Sequence, residues 1–241
     1  MPSLTEPLRV VSLAEEVEEA IRIADLAERL RAYKTSLAYS YCFVIWSSLM
    51  VGLPLACLAI MFSPWIGALG HYLAVFLTTV GVGIAISLAL MFLLLVKMGA
   101  LGSPKASLIW SLAFSVPFAT IYSLLSAFGL WELMPVAWCP AGGLAFLVIG
   151  LTVEDSLVRE GLMSARPFLL TGLLALVASA PVLYLASRPE PCEYLVASRP
   201  VWAWSAGPLS AMILASALYL VISFVASFYT FLRAERAVLR P

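Results

Sequence analysis

The sequence predicts an all-α, polytopic membrane protein: six transmembrane helices preceded by a cytoplasmic or interfacial amphipathic helix. Three observations carry this. The 241-residue chain is 63% hydrophobic and 12% charged, against roughly 45–50% apolar and about 25% charged in soluble domains. Its mean hydropathy is +1.01, and the apolar residues gather into six long runs. Its basic residues gather on one side of those runs.

The first 35 residues are polar, unlike the apolar stretch of a secretory signal, so they are expected to be retained. Ser12-Leu13-Ala14-Glu15 has the form of a capping box, which predicts a helix starting at Ser12. Glu15, Glu16, Glu18 and Glu19 crowd its first turns and Arg29, Arg31 and Lys34 its last, the order that the helix dipole favours. Glu18 with Arg22, and Asp25 with Arg29, stand at the i,i+4 spacing of helical ion pairs.

Two apolar stripes share this helix. Leu13, Val17, Ala20, Ala24 and Ala27 form one, and Ile23, Leu26, Leu30, Tyr33 and Leu37 form the other. Heptad-like spacing is what a partner helix reads, so Ile23, Leu26, Leu30 and Tyr33 are a candidate docking face for a cytoplasmic protein. The simpler alternative is a helix lying on the inner leaflet or packed on the protein's own loops. Residues 1–35 are therefore treated as one amphipathic unit.

Residues 36–232 hold the six predicted spans, at about 37–62, 71–96, 106–128, 136–152, 168–187 and 201–232, and residues 233–241 a short tail. All but the short fourth approach or exceed the roughly 20 residues needed to cross about 30 Å of hydrocarbon. An even number returns both termini to one side. Twelve of the 14 Lys and Arg residues then share that side, against Arg188 and Arg199 on the other, which predicts cytoplasmic termini in the cell membrane. Trp65, Trp131, Trp138, Trp202 and Trp204 fall at outer ends, as an interfacial belt requires.

Pro54, Pro117 and Pro181 lie inside the three spans that run outward, where a missing N–H loosens the helix. Two of these spans share a phrase, Ile45-Trp46-Ser47 through Pro54 and Ile109-Trp110-Ser111 through Pro117. A repeat of bendable hairpins is one reading, and coincidence in a chain of few residue types is at least as good. Gly81-Val82-Gly83, Ala141-Gly142-Gly143 and the Gly207, Ala211, Ala215 face are points where helix backbones can approach closely.

Chemistry is less legible. No Asp, Glu, Lys or Arg falls inside a predicted span, and the single histidine, His71, sits at an outer end, which argues against proton- or sodium-coupled transport. One His and four dispersed Cys offer no zinc, haem or copper set, and no cofactor is expected. Net charge is zero, so no basic surface invites nucleic acid.

The inner loop Thr152 to Gly161 is the one membrane-proximal carboxylate cluster. Thr152 and Asp155 stand at capping-box spacing, so Glu154, Asp155, Arg159 and Glu160 form a candidate coupling loop for a cytoplasmic ATPase, with a plain solvated loop as the simpler reading. Cys139 and Cys192 both fall on the outer side, where a disulfide is permitted. Complete absence of Asn and Gln, with 11 Arg to 3 Lys, follows a trend of proteins from hot environments.

Three functions remain in order of preference: a permease-type subunit of a transporter working with a cytoplasmic ATPase, a non-catalytic scaffold or accessory subunit of a larger membrane complex, and, well behind, a lipid-modifying enzyme. The lipid bilayer is the one partner common to all three.

Overall fold

In the computed structural model the described residues are 6–62, 72–100, 104–188 and 206–239. They form helices throughout, and among them six helices are long and apolar enough to span a membrane. The first, α1, is one helix from Glu6 to Phe62. No Pro or Gly interrupts it between Leu8 and Val51, so nothing stops the polar helix before the span begins. Ser12 is accordingly interior to α1 rather than its cap: the helical pattern already holds at Glu6, and a capping box cannot act where the preceding turn is helical.

α2 (Tyr72–Met98) and α3 (Pro104–Ala127) follow, then a 3-10 turn at Trp131–Val136. α4 begins as an α-helix at Trp138–Ile149 and passes through a π-turn at Gly150–Glu154 into Asp155–Arg159. The expected short fourth span and its separate loop helix are thus one continuous element. Thr152, expected to cap the second of these, donates its hydroxyl to the Val148 carbonyl at 2.6 Å, as an interior helical threonine does. α5 (Pro167–Ala186) and α6 (Ala206–Leu239) complete the bundle. Pro54, Pro117 and Pro181 lie inside α1, α3 and α5, as their positions in the sequence require.

The helices pack in the order α2, α1, α6, α5, α4, α3, so the chain's first and last spans meet at the centre. Their seam is polar and small. Ser36, Ser40 and Ser47 of α1 and Ser216, Ser223, Ser227 and Thr230 of α6 are all buried. Ser40 Oγ donates to the Ser227 carbonyl at 3.0 Å and Ser227 Oγ to the Ser40 carbonyl at 3.1 Å. Hydroxyls that bond across a seam hold helices together where lipid removes the hydrophobic drive. A Ser40→Ala, Ser227→Ala double-mutant cycle, read by chemical unfolding in detergent, should give a coupling of about 0.6 kcal/mol.

α4 and α5 touch by backbone. A Cβ added to Gly150 would lie 2.5 Å from the Leu169 nitrogen, and one added to Gly172 would lie 2.5 Å from that of Leu147. Between α1 and the α3–α5 side the spacing is set instead by rings. Phe43 lies 4.8 Å from Phe168, Trp46 lies 5.3 Å from Phe114 and 5.7 Å from Phe146, and Trp110 lies 5.2 Å from Phe168. The two tryptophans of the repeated phrase therefore meet in one aromatic layer, bridged by Phe114. Rings in edge and tilted contact fill this layer as a solid core.

Candidate functional site: the projecting helix and the inner loop

Burial divides α1 sharply. Every residue from Glu15 to Glu28 is exposed, whereas Thr35, Ser36, Ala38, Tyr39 and Ser40 are buried. From Asp25 to Tyr33 the helix still borders the α4–α5 loop and α6, and the 19 residues from Glu6 to Ala24 run on as a projection of roughly 30 Å at about 1.5 Å per residue.

The projecting half of α1 carries large apolar side chains without cover. Val17, Ile21, Ile23, Leu26 and Leu30 range from 42% exposed at Leu30 to 64% at Ile21. Of the candidate docking residues, Ile23, Leu26 and Leu30 lie in the open, while Tyr33 is half-buried at the root of the projection. Tyr33 lines a notch of about 230 Å³ with Asp25, Arg29 and Ser36 of α1, Gly161 and Ser164 of the α4–α5 loop, and Ala234 of α6. Asp25 and Arg29 form the expected helical ion pair at 2.9 Å. Ile21 belongs to neither heptad stripe and was not expected to contribute; its exposure follows from the helix standing clear of the bundle on all sides.

The candidate coupling loop separates into three parts. Glu154 is fully buried, not solvated. Its carboxylate accepts the backbone N–H of Phe168 at 2.9 Å and that of Leu169 at 3.0 Å, two of the donors that α5 leaves orphaned in its first turn. With Pro167 at the first helical position, where no N–H is lost, α5 is capped by a side chain from the preceding helix. The π-turn places Glu154 there, and Gly150 lets the two backbones come close enough. A hydropathy reading ends the fourth span before this carboxylate because it sees the charge and not the donors that offset it.

Asp155 is the second part. It binds Arg159 and Arg166, each at 2.7 Å, and so ties the end of α4 to the start of α5. Glu160 is the third: it is exposed at the loop's turn, next to Gly161, whose φ of 72° is the left-handed conformation that glycine adopts without strain. Glu160 lines an opening toward α1 with Leu162, Ala27, Glu28 and Arg31.

At the other end of the bundle Cys139 is a free, fully buried thiol that accepts a hydrogen bond from Ser179 Oγ at 3.4 Å. Its expected disulfide partner Cys192 lies outside the described residues, as do His71, Trp65, Trp202 and Trp204. Among the described residues no three of His, Cys, Asp and Glu converge.

The fold and this site define a class: a multi-pass helical membrane protein with one helix prolonged well past the bundle. No known protein family, curated protein or solved structure matches this chain.

Proposed function

We propose that this protein is a membrane-embedded subunit of a larger assembly that receives a soluble partner on the projecting half of α1. The charge distribution, with 12 of 14 basic residues on the side of the termini, supports a cytoplasmic location for that half in a cell-membrane protein. The observation that carries the reading is the uncovered apolar face of Ile23, Leu26 and Leu30, exposed on the projecting half of α1, with Val17 and Ile21 exposed on the opposite side of the helix. Contiguous apolar surface of this kind in water marks an interaction site.

Charge argues for a different protein over a second copy. Two copies in one membrane project α1 in the same direction, which sets Glu15, Glu16, Glu18 and Glu19 of each beside those of the other, an unfavourable pairing of like charges.

The second reading is the permease-type subunit, in which the docked partner is an ATPase. The π-turn at Gly150–Glu154 favours it, because such turns recur at functional positions and this one sits directly above the inner loop. The two readings part on one assay: nucleotide hydrolysis by the purified complex belongs to the permease and its absence to the scaffold.

The docking itself is tested with Leu26→Asp and Leu30→Asp. Purification from native membranes should lose a stoichiometric soluble partner, while the melting temperature of the bundle stays put, since exposed substitutions shift stability by about 0.5 kcal/mol or less. A partner retained at full stoichiometry by the double variant rejects the reading.

A further inference from the structure

The projection meets the bundle at an opening that neither apolar stripe explains by itself. Ala27, Glu28 and Arg31 of α1 stand across from Glu160 and Leu162 of the α4–α5 loop, and between them lies a wedge of about 460 Å³. The spacing 17, 20, 24, 27, 31 is the 3,4 alternation of one helical face. Val17, Ala20 and Ala24 therefore form a track that runs down α1 and ends in this wedge. Three of the track's four apolar members are alanines, the residue size that lets a second helix approach to the 8–10 Å of close packing.

The charges within the wedge are unspent. Asp155, nearby, is taken up by Arg159 and Arg166, but Glu28, Arg31 and Glu160 form no ion pair among the described residues. Glu28 and Glu160 line the wedge with a single guanidinium, that of Arg31, so the lining carries one net negative charge. That composition repels a phosphate headgroup and disfavours the acidic first turns of a second α1, and it attracts a basic chain end.

We infer that the wedge seats the end of a helix from the soluble partner, and that this end carries Lys or Arg. The inference rests on the docking reading above and deepens it: the partner lies along Val17, Ala20 and Ala24 and inserts its basic end between Glu28 and Glu160. The Ile23, Leu26 and Leu30 face, about a third of a turn away around the helix, borders this track.

The test uses the full chain in native membranes with a photoreactive benzoylphenylalanine at position 24, 162 or 26 in turn. Irradiation should give one adduct of the same added mass from positions 24 and 162, on the two walls of the wedge. Adding Glu28→Arg and Glu160→Arg should lower the adduct at 162 about tenfold, and the milder pair Glu28→Gln, Glu160→Gln should lower it in the same direction where the reversal fails to fold. An adduct from position 26 with none from 24 or 162 overturns the wedge and leaves docking on α1 standing. An adduct of twice the chain's mass overturns it in favour of a second copy. No protein adduct from any position overturns both the wedge and the docking reading. An adduct at 162 that is indifferent to both charge variants removes the basic-end assignment.

Discussion

Gly150→Ala is expected to destabilise the bundle by about 3 kcal/mol, the upper end of what overpacking a tight interior costs. The new methyl would lie 2.5 Å from the nitrogen and 2.6 Å from the Cα of Leu169. Those are backbone atoms of the adjoining helix, so no rotamer change relieves the contact and α4 and α5 must separate. Separation also draws the Glu154 carboxylate away from the donors it caps, so one methyl acts on two interactions. Gly172→Ala should behave alike, its methyl meeting the nitrogen of Leu147 at 2.5 Å and the Gly143 carbonyl at 3.0 Å.

Gly81→Ala is the control, because a Cβ there meets nothing within 4 Å. Alanine in an open helical position should stabilise by about 0.5–1 kcal/mol through reduced backbone entropy. Unfolding titrations in one detergent read all three. Equal effects at positions 81, 150 and 172 would mean that glycine acts through helix propensity alone and that the backbone contact is not a determinant of the fold.

The contrast between these glycines marks what the sequence discloses. Six spans and an all-α bundle are legible from hydropathy, because burial in lipid needs only length and apolarity. Of the glycines whose spacing marks close approach, Gly83, Gly142, Gly143 and Gly207 do meet neighbours, namely Leu53, the Tyr219 hydroxyl, Leu176 and the Arg188 carbonyl, whereas Gly81 faces open space. Gly150 and Gly172 carry no such local pattern. They lie on different helices, and their importance appears once α4 and α5 are paired. Helix ends are less legible for a related reason. The Ser12 capping box is a sound local signal, but helix-forming residues precede it and the helix simply starts earlier. The loop at Thr152 to Gly161 reads as solvated because its carboxylates look unpartnered, whereas one of them is offset by backbone donors 14 and 15 residues on. On the projecting helix the apolar stripes are visible in the sequence, while the wedge, which needs Glu160 and Leu162 opposite Glu28, is a tertiary product.

Glu154→Leu should cost about 3 kcal/mol, because it leaves the buried Phe168 N–H and the half-buried Leu169 N–H without acceptors where a carboxylate oxygen had satisfied each. Glu154→Gln keeps one acceptor oxygen and turns an amide donor toward the other N–H, so about half that loss is expected. Asp155→Asn breaks two ion pairs whose arginines are 80% and 44% exposed, and water already serves those arginines, so under about 1 kcal/mol is expected. The order of these three separates a buried cap from a surface clamp, although the residues are neighbours in sequence.

Two local readouts place the cause. Amide exchange at Phe168 and Leu169 should accelerate in the leucine variant and hold in Asp155→Asn. Trp110 fluorescence should shift with it, since the Trp110 ring stands edge-on to Phe168 at 5.2 Å. Phe168 also contacts Tyr39 and Phe43 of α1 at 5.4 and 4.8 Å, so loosening the first turn of α5 reaches the root of the projecting helix. Unchanged exchange at both amides in Glu154→Leu would show that α5 holds its first turn without the carboxylate. The π-turn that delivers Glu154 would then need another explanation.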